Sequence, residues 1–194
     1  MNDQPFVNLP ALLPSVEAKC KEIGFTMPSD RLAGSLLRSL IASRPGGSFL
    51  ELGTGVGLSL CWMVDGMDAG SSLITIDNDP ALSAIAEEYF GEDNRLEIIC
   101  EDGSQWIQNH LTDQFDLIFA DAWPGKYSEL DEVLSMVKTG GFYVIDDMAP
   151  QPNWPEGHDE KVKQLIAYLE GRNDLTITKM NWSTGVIIAT KLSD

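Results

Sequence analysis

The sequence predicts an α/β protein with one doubly wound, Rossmann-like sheet of seven strands, the last of them antiparallel, and helices on both faces. Short apolar runs of strand length alternate with longer amphipathic runs over five successive β-then-α units. Two further apolar runs follow with no helix between them, which predicts a closing antiparallel pair. The chain has 194 residues, which suits a single domain.

The elements follow from local signals in chain order. One helix is predicted at residues 15–23, and a second begins at Ser29 as N-cap and stops before the Pro-Gly-Gly run at 45–47. Asp79 and Pro80 form an N-cap and first-turn pair. The predicted strands are 48–52, 73–76, 96–100, 115–120, 142–145, 175–179 and 186–190. The helices between them are predicted to end at residue 64 and to span 80–90, 104–111, 128–137 and 160–170.

The composition restricts the partners. There are 30 acidic and 13 basic residues, a formal net charge of −17, and no basic stripe that could neutralise a row of phosphates. Nucleic acid is therefore disfavoured as a partner. A small neutral or cationic substrate, or a divalent metal ion, suits this field better. The three cysteines are widely spaced, and no apolar run approaches the ~18 residues that span a bilayer. We expect a cytoplasmic protein with free thiols, no membrane partner, and a monomeric or homodimeric state.

Acidic residues mark several predicted strand ends. Asp77, Asp121, Asp146 and Asp147 each follow a strand, and Glu51 lies within the first strand just before its turn. Ligands of doubly wound sheets bind at the carboxyl ends of the strands. The pattern therefore predicts one acidic crevice at that edge.

A glycine-rich turn follows the first strand. The run E-L-G-T-G-V-G from Glu51 to Gly57 opens a helix, but Leu58 occupies the place of the third glycine of the G-x-G-x-x-G dinucleotide fingerprint, and no phosphate-binding P-loop is present. A nicotinamide-dependent dehydrogenase is therefore disfavoured. The run resembles the first motif of class I methyltransferases, which use S-adenosylmethionine and release S-adenosylhomocysteine. In that class an acidic residue at the position of Asp77 accepts the ribose hydroxyls.

The resemblance implies a set of cofactor-binding residues on the strand-end turns. The segment that begins at Asp102 would hold the adenine, with Gln105 as a further adenine contact, and Ser59 would bond the methionine carboxylate. It also divides the chain into an N-terminal helical segment over the cofactor site, residues 1–45, and the cofactor-binding core, residues 46–194. The implied binding residues are Glu51, Gly53, Thr54, Gly55, Gly57, Ser59, Asp77, Asn78, Asp102, Gly103, Ser104, Asp121 and Trp123.

The run from Phe115 to Tyr127 is more specific. It resembles the fourth-strand motif of the catechol and caffeoyl-CoA O-methyltransferase family, in which an aspartate opens a short loop ending in tyrosine. The resemblance implies O-methylation of a small hydroxylated, catechol-like aromatic and a divalent cation, usually Mg²⁺, that lowers the pKa of the acceptor hydroxyl. The implied metal ligands are Asp121, Asp146 and Asp147, and the implied catalytic residues are Asp121 and Lys126.

Two departures from that family keep alternatives open. Pro124 stands where the family has its catalytic lysine, and Asp147 stands where it has asparagine. The alternatives are a metal-independent small-molecule methyltransferase, a tRNA methyltransferase and a catalytically silent cofactor-binding module. His158 is then a candidate general base in a loop over the crevice. Trp154, Met148 and Tyr127 are candidates for an aromatic acceptor wall.

Overall fold

The computed structural model describes residues 8–151 and 154–193. Helices and strands alternate in the predicted order. The helices are α1 (Leu13–Ile23), α2 (Arg31–Ala42), α3 (Leu58–Gly66), α4 (Pro80–Phe90), α5 (Gly103–Asn109), α6 (Leu130–Met136) and α7 (His158–Glu170). The strands are β1 (Ser48–Leu52), β2 (Ser72–Asp77), β3 (Leu96–Cys100), β4 (Phe115–Ala120), β5 (Val137–Ile145), β6 (Leu175–Met180) and β7 (Val186–Lys191).

These strands form one sheet in the order β3-β2-β1-β4-β5-β7-β6. The pairs from β3 to β5 are parallel, and β7 is antiparallel to both β5 and β6. The predicted fold class is therefore confirmed. The strand order reverses between β1 and β4, which is where a doubly wound sheet opens a crevice at its carboxyl edge.

The hydrophobic core has two halves, one on each face of the sheet. On one face, α1 to α4 pack around fully buried side chains such as Leu37, Phe49 and Trp62. On the other face, α5 to α7 pack around Trp106 and Tyr143, which are also fully buried. Adjacent β1 residues point into opposite halves, so the sheet is buried on both sides, as parallel sheets require.

The start of α2 corrects one prediction. Asp30, not Ser29, is the N-cap, and its carboxylate accepts from the backbone N–H of Leu32 at 2.6 Å and of Ala33 at 3.0 Å. Both residues are short and polar, so sequence alone does not choose between them. The Ser29 hydroxyl instead donates to Asp121 Oδ2 at 3.1 Å, across the crevice.

The start of β5 corrects a second prediction. The strand begins at Val137, immediately after α6, rather than at residue 142. Its pairing with β4 shifts register between Phe115 and Leu117, so the extra residues bulge out of the ladder. Gly140 has φ +79° within this bulge, a backbone conformation that glycine adopts without strain. Within the described residues, no helix is long and apolar enough to cross a membrane.

Candidate active site

A cavity of about 720 Å³ opens at the carboxyl ends of β1, β2 and β4. Its wall comes from the turns after these strands, from the start of α5, and from the segment between α1 and α2. Ten predicted cofactor residues line it: Gly53, Thr54, Gly55, Asp77, Asn78, Asp102, Gly103, Ser104, Asp121 and Trp123. Most of the predicted cofactor residues therefore lie around one cavity, as their positions at the strand ends predict.

The glycine turn is tied to the end of β2. The backbone N–H groups of Gly53 and Thr54 both donate to the Ile76 carbonyl, at 2.9 and 3.3 Å. Gly53 has φ +103°, and a Cβ there would lie 2.9 Å from the Asp121 carbonyl oxygen, so only glycine fits. Asp77 accepts from the N–H of Gly55 at 2.8 Å. These bonds hold the Asp77 carboxylate beside the turn, where the ribose of the cofactor is expected.

Three predicted cofactor residues are not among the residues that line the cavity: Glu51, Gly57 and Ser59. Glu51 is fully buried and accepts from the hydroxyls of Ser59 at 2.5 Å and Thr75 at 2.6 Å. Burial raises the pKa of Glu51 to about 7, against the two hydroxyl donors that favour its charged form. Gly57 faces the Phe90 ring. The described contacts make these residues supports of the turn, and their direct cofactor contacts stay predictions.

The predicted adenine end is built at the start of α5. Asp102 is the N-cap, and its carboxylate accepts from the Gln105 N–H at 3.0 Å. Ser104 donates to Glu129 Oε2 at 2.7 Å, which joins this end to the start of α6. Gln105 is not among the residues that line the cavity.

Sequence reasoning missed most of the apolar part of the wall. Phe25, Met27 and Pro28 line the cavity from the α1–α2 segment, and Leu58 and Leu82 line it from the first turns of α3 and α4. Met27 is 69% exposed, a large fraction for an apolar side chain beside a cavity. Periodicity does not reveal which loop folds over a sheet edge, so these residues carried no usable signal.

The acidic end of the cavity contains the three aspartates that were predicted as metal ligands. Asp121 and Asp147 line the cavity, whereas Asp146 is buried behind it. The Asp146 carboxylate accepts from the Thr184 hydroxyl and from the Asp147 N–H. Burial raises the pKa of Asp146 to about 6, and burial together with the charge of Asp146 raises the pKa of Asp121 well above its usual range.

These residues do not fit a divalent cation as they stand. Nowhere in residues 8–151 and 154–193 do three acidic, histidine or cysteine side chains come together so that they could hold a metal ion. Protein hydroxyl donors already occupy oxygens of Asp121 and Asp146. A buried ammonium, that of Lys126, acts on the same carboxylates. The predicted metal set is therefore not supported by this geometry.

A tight turn points Lys126 inward. The Trp123 carbonyl accepts from the N–H groups of Lys126 at 3.2 Å and Tyr127 at 2.9 Å. Gly125 has φ +80°, and its carbonyl accepts from the buried Tyr143 hydroxyl. The Lys126 ammonium donates to the Asp146 carbonyl at 2.6 Å, and the residue is 5% exposed. Burial lowers the pKa of Lys126, and the charges of the three aspartates oppose that shift.

An aromatic group, formed by Trp123, Tyr127, Trp154 and His158, adjoins this end. Trp123 lines the cavity and is 51% exposed. Its ring centroid is 5.4 Å from that of Tyr127 and 6.2 Å from that of His158, both edge-on. Trp154 lies 4.7 Å from His158. The predicted wall residues Tyr127, Trp154 and Met148 are not among the residues that line the cavity.

Comparison with known proteins supports the cofactor class. A family model described as a methyltransferase domain matches residues 50–148, just over half of the chain. A Mycobacterium ulcerans protein with the provisional name O-methyltransferase is 26% identical over 168 residues, or 81% of this chain and 75% of that protein. A Mycobacterium leprae protein with the same provisional name is 31% identical over 118 residues, or 59% of this chain, and the match spans about half of that relative's length (52%).

Solved structures agree on the fold. The O-methyltransferase from Bacillus cereus in complex with S-adenosylhomocysteine has a TM-score of 0.80 at 18% identity, covering 96% of this chain and 93% of that one. The O-methyltransferase TomG from Streptomyces achromogenes, in complex with S-adenosylmethionine, has a TM-score of 0.78 at 21% identity, covering 97% and 92%. The chain therefore belongs to the methyltransferase domain family and is a class I methyltransferase that uses S-adenosylmethionine.

Proposed function

We propose that this enzyme transfers the methyl group of S-adenosylmethionine to a hydroxyl oxygen of a small hydroxylated, catechol-like aromatic. One observation carries the proposal: a single cavity runs from Asp77, the expected ribose contact, to Asp121 and Asp147 beside the half-exposed Trp123 ring. Donor and acceptor can therefore share one space. The O-methyltransferase names of the relatives support the choice of an oxygen acceptor.

The cavity residues suit the donor. Asp77 would accept the ribose hydroxyls, the segment from Asp102 to Ser104 would border the adenine, and the turn from Gly53 to Gly55 would approach the donor through backbone. The bound donor supplies an electrophilic methyl group on a positively charged sulfonium. Asp147 lies at the far end of the cavity, where its carboxylate would attract that cation.

The same end suits an aromatic acceptor. Trp123 offers a ring face and edge for stacking, with the Lys161 ammonium 4.2 Å from the ring centroid. Asp121, whose carboxylate is fixed by Ser29, would orient the acceptor hydroxyl. Lys126 would supply the positive charge that the aspartates need. Because these residues do not gather as metal ligands, the proposed reaction contains no step that depends on a metal ion.

The first test is calorimetric titration of S-adenosylhomocysteine into the wild-type protein and into Asp77→Asn. Losing the charged partner of two hydroxyls costs about 1.5–3 kcal/mol, so we expect binding to weaken by roughly 10- to 100-fold. Asp113→Asn is the matched control, because Asp113 lies in the loop before β4 and outside the cavity lining. Its affinity should equal that of the wild type.

The second arm measures transfer of a labelled methyl group to a panel of phenols and catechols. Methylation at oxygen supports the proposal. If the wild type does not bind S-adenosylhomocysteine, the proposed function is overturned entirely. Tight binding without transfer to any member of the panel would contradict the acceptor class and favour a catalytically silent binding module.

A further inference from the structure

His158 is the first residue of α7, and its imidazole contacts the other three rings of the aromatic group. The residue is 7% exposed. Its Nε2 lies 3.2 Å from the Tyr127 hydroxyl. Its Nδ1 is buried and, among the described residues, has no hydrogen-bond partner. A buried polar atom without a partner costs about 1–3 kcal/mol, so such an atom asks for an explanation beyond packing.

The other histidine shows what a structural role looks like in this chain. His110 Nδ1 lies 2.7 Å from the Trp106 carbonyl, and its ring stacks on Trp106 with centroids 4.2 Å apart. His110 is the C-cap of α5 and lies outside the cavity lining. The His158 ring, in contrast, contacts Trp123 edge-on, and Trp123 does line the cavity. Only one of the two histidines therefore adjoins the expected place of the acceptor.

We propose that the Tyr127 hydroxyl and the His158 imidazole form the proton acceptor for the methylated hydroxyl. An acceptor ring that stacks on Trp123 would extend past the cavity lining to Tyr127, whose ring packs edge-on against Trp123 with centroids 5.4 Å apart. The inference rests on the proposed function. With the ring proton on Nδ1, His158 turns the Nε2 lone pair toward the Tyr127 hydroxyl. A short relay from acceptor to Tyr127 to His158 follows from that arrangement.

The step balances. The acceptor O–H proton moves to the Tyr127 oxygen as the Tyr127 proton moves to Nε2 of His158. The acceptor oxygen forms a bond to the methyl carbon, and the carbon–sulfur bond breaks with its electron pair going to sulfur. The products are the methyl ether, S-adenosylhomocysteine and an imidazolium, which then loses its proton to water. Tyr127 ends the step unchanged.

The surroundings keep both groups in the required state. Burial lowers the pKa of His158, so its imidazole is neutral at physiological pH and can accept a proton. Burial and the charge of Asp147 raise the pKa of Tyr127 to about 12, so its hydroxyl retains a proton to pass on. The charged groups that act on His158 are Lys126, Asp147, Asp159 and Lys161.

Lys126 is less suited to this role. Its ammonium is committed to the Asp146 carbonyl, and it is the cation that acts on Asp121, Asp146 and Asp147. Removing its proton would leave these acidic groups without that compensation. His158 does not compensate these acidic groups, because its imidazole is neutral in the resting enzyme.

The test compares His158→Gln and Tyr127→Phe with His110→Gln as matched control, using two acceptors. One acceptor is an ordinary phenol that is protonated at the assay pH, and the other is a nitro-substituted phenol that is already ionised. General-base catalysis contributes roughly 10²- to 10⁴-fold, so we expect that loss in kcat with the protonated phenol for both site variants. With the ionised phenol their kcat should return to within a few-fold of wild type. His110→Gln should match wild type with both.

The outcomes separate the possibilities. Unchanged S-adenosylhomocysteine affinity and melting temperature in Tyr127→Phe show that its fold and donor site are intact. Equal losses with both acceptors, or no loss with either, would overturn the relay. Rescue of Lys126→Met by the ionised phenol, without rescue of His158→Gln, would assign the base to Lys126. If the wild type methylates neither phenol, the proposed function fails rather than the relay.

Discussion

Replacing Gly125 by alanine tests the turn that points Lys126 inward. Gly125 has φ +80°, and a Cβ there would lie 2.4 Å from Leu52 Cδ1 and 3.2 Å from Val133 Cγ2. Gly140 has nearly the same φ, +79°, but nothing lies within 4 Å of its Cβ position. The two alanine variants therefore share the backbone strain and differ in the steric clash.

The magnitudes follow from these two contributions. An alanine in the left-handed region costs about 1–2 kcal/mol. Because the unfolded chain has fewer conformations with alanine than with glycine, folding loses less entropy, which offsets about 0.4–1 kcal/mol of that cost. Gly140→Ala should therefore cost about 1 kcal/mol. Overpacking adds about 1–3 kcal/mol for Gly125→Ala, because Leu52 is 1% exposed and has little space in which to move. We expect the free energy of unfolding to differ by about 2 kcal/mol between the variants.

Urea unfolding of both variants measures the difference directly, and it corresponds to about 4–8 °C in melting temperature for a chain of this size. Gly125→Ala should also lose methyl transfer, because the shifted turn displaces Lys126 and Tyr127, whereas Gly140→Ala should retain it. Equal destabilisation of the two variants would refute the steric argument and show that Leu52 yields freely.

Two further predictions concern the buried charges. The pKa of Glu51 rises from 4.5 to about 7 on folding. The stability that protonated Glu51 contributes is therefore fully present below pH 4.5 and is lost as the pH rises to 7. The free energy of unfolding falls by about 3 kcal/mol over that range. Glu51→Gln should therefore gain about that amount over wild type between pH 5 and pH 8 in urea unfolding, and a pH-independent difference would contradict this. In calorimetry with bound S-adenosylhomocysteine, the wild type should not bind Mn²⁺, and Lys126→Met should bind it because the aspartates lose their neighbouring cation. Wild-type binding that Asp121→Asn abolishes would restore the predicted metal site.

Much of the fold could be predicted because its signals are local. Strand-length apolar runs, the Asp79–Pro80 helix start and the glycine turn act within a few residues, and the structure places each of them as expected. The errors arose where distant contacts decide. Ser29 bonds Asp121, 92 residues away, and this leaves the N-cap to Asp30. The bulge that lengthens β5 depends on its pairing with β4.

Only the polar residues at the strand ends of the site could be predicted from the sequence. Shared strand ends bring Asp77 and Asp121 to one cavity, because parallel strands end at one edge of the sheet. Strand position does not say which oxygens of an aspartate are already engaged, and Asp146 turned out to be buried and bonded to Thr184 from the β6–β7 connection. The inward direction of Lys126 depends on the Gly125 turn and could not be read from its spacing.

The acidic end of the cavity differs from that of the resembled family in the position of one lysine. That family implies a catalytic lysine at residue 124 and a metal ion among the strand-end acids, whereas this chain has Pro124 and a lysine two residues later. The Lys126 ammonium is turned to the end of β5, where its charge acts on the same acids. A chain arranged in this way needs another proton acceptor near Trp123. The neutral, partly unpartnered imidazole of His158, linked to Tyr127, is the described group that meets this need.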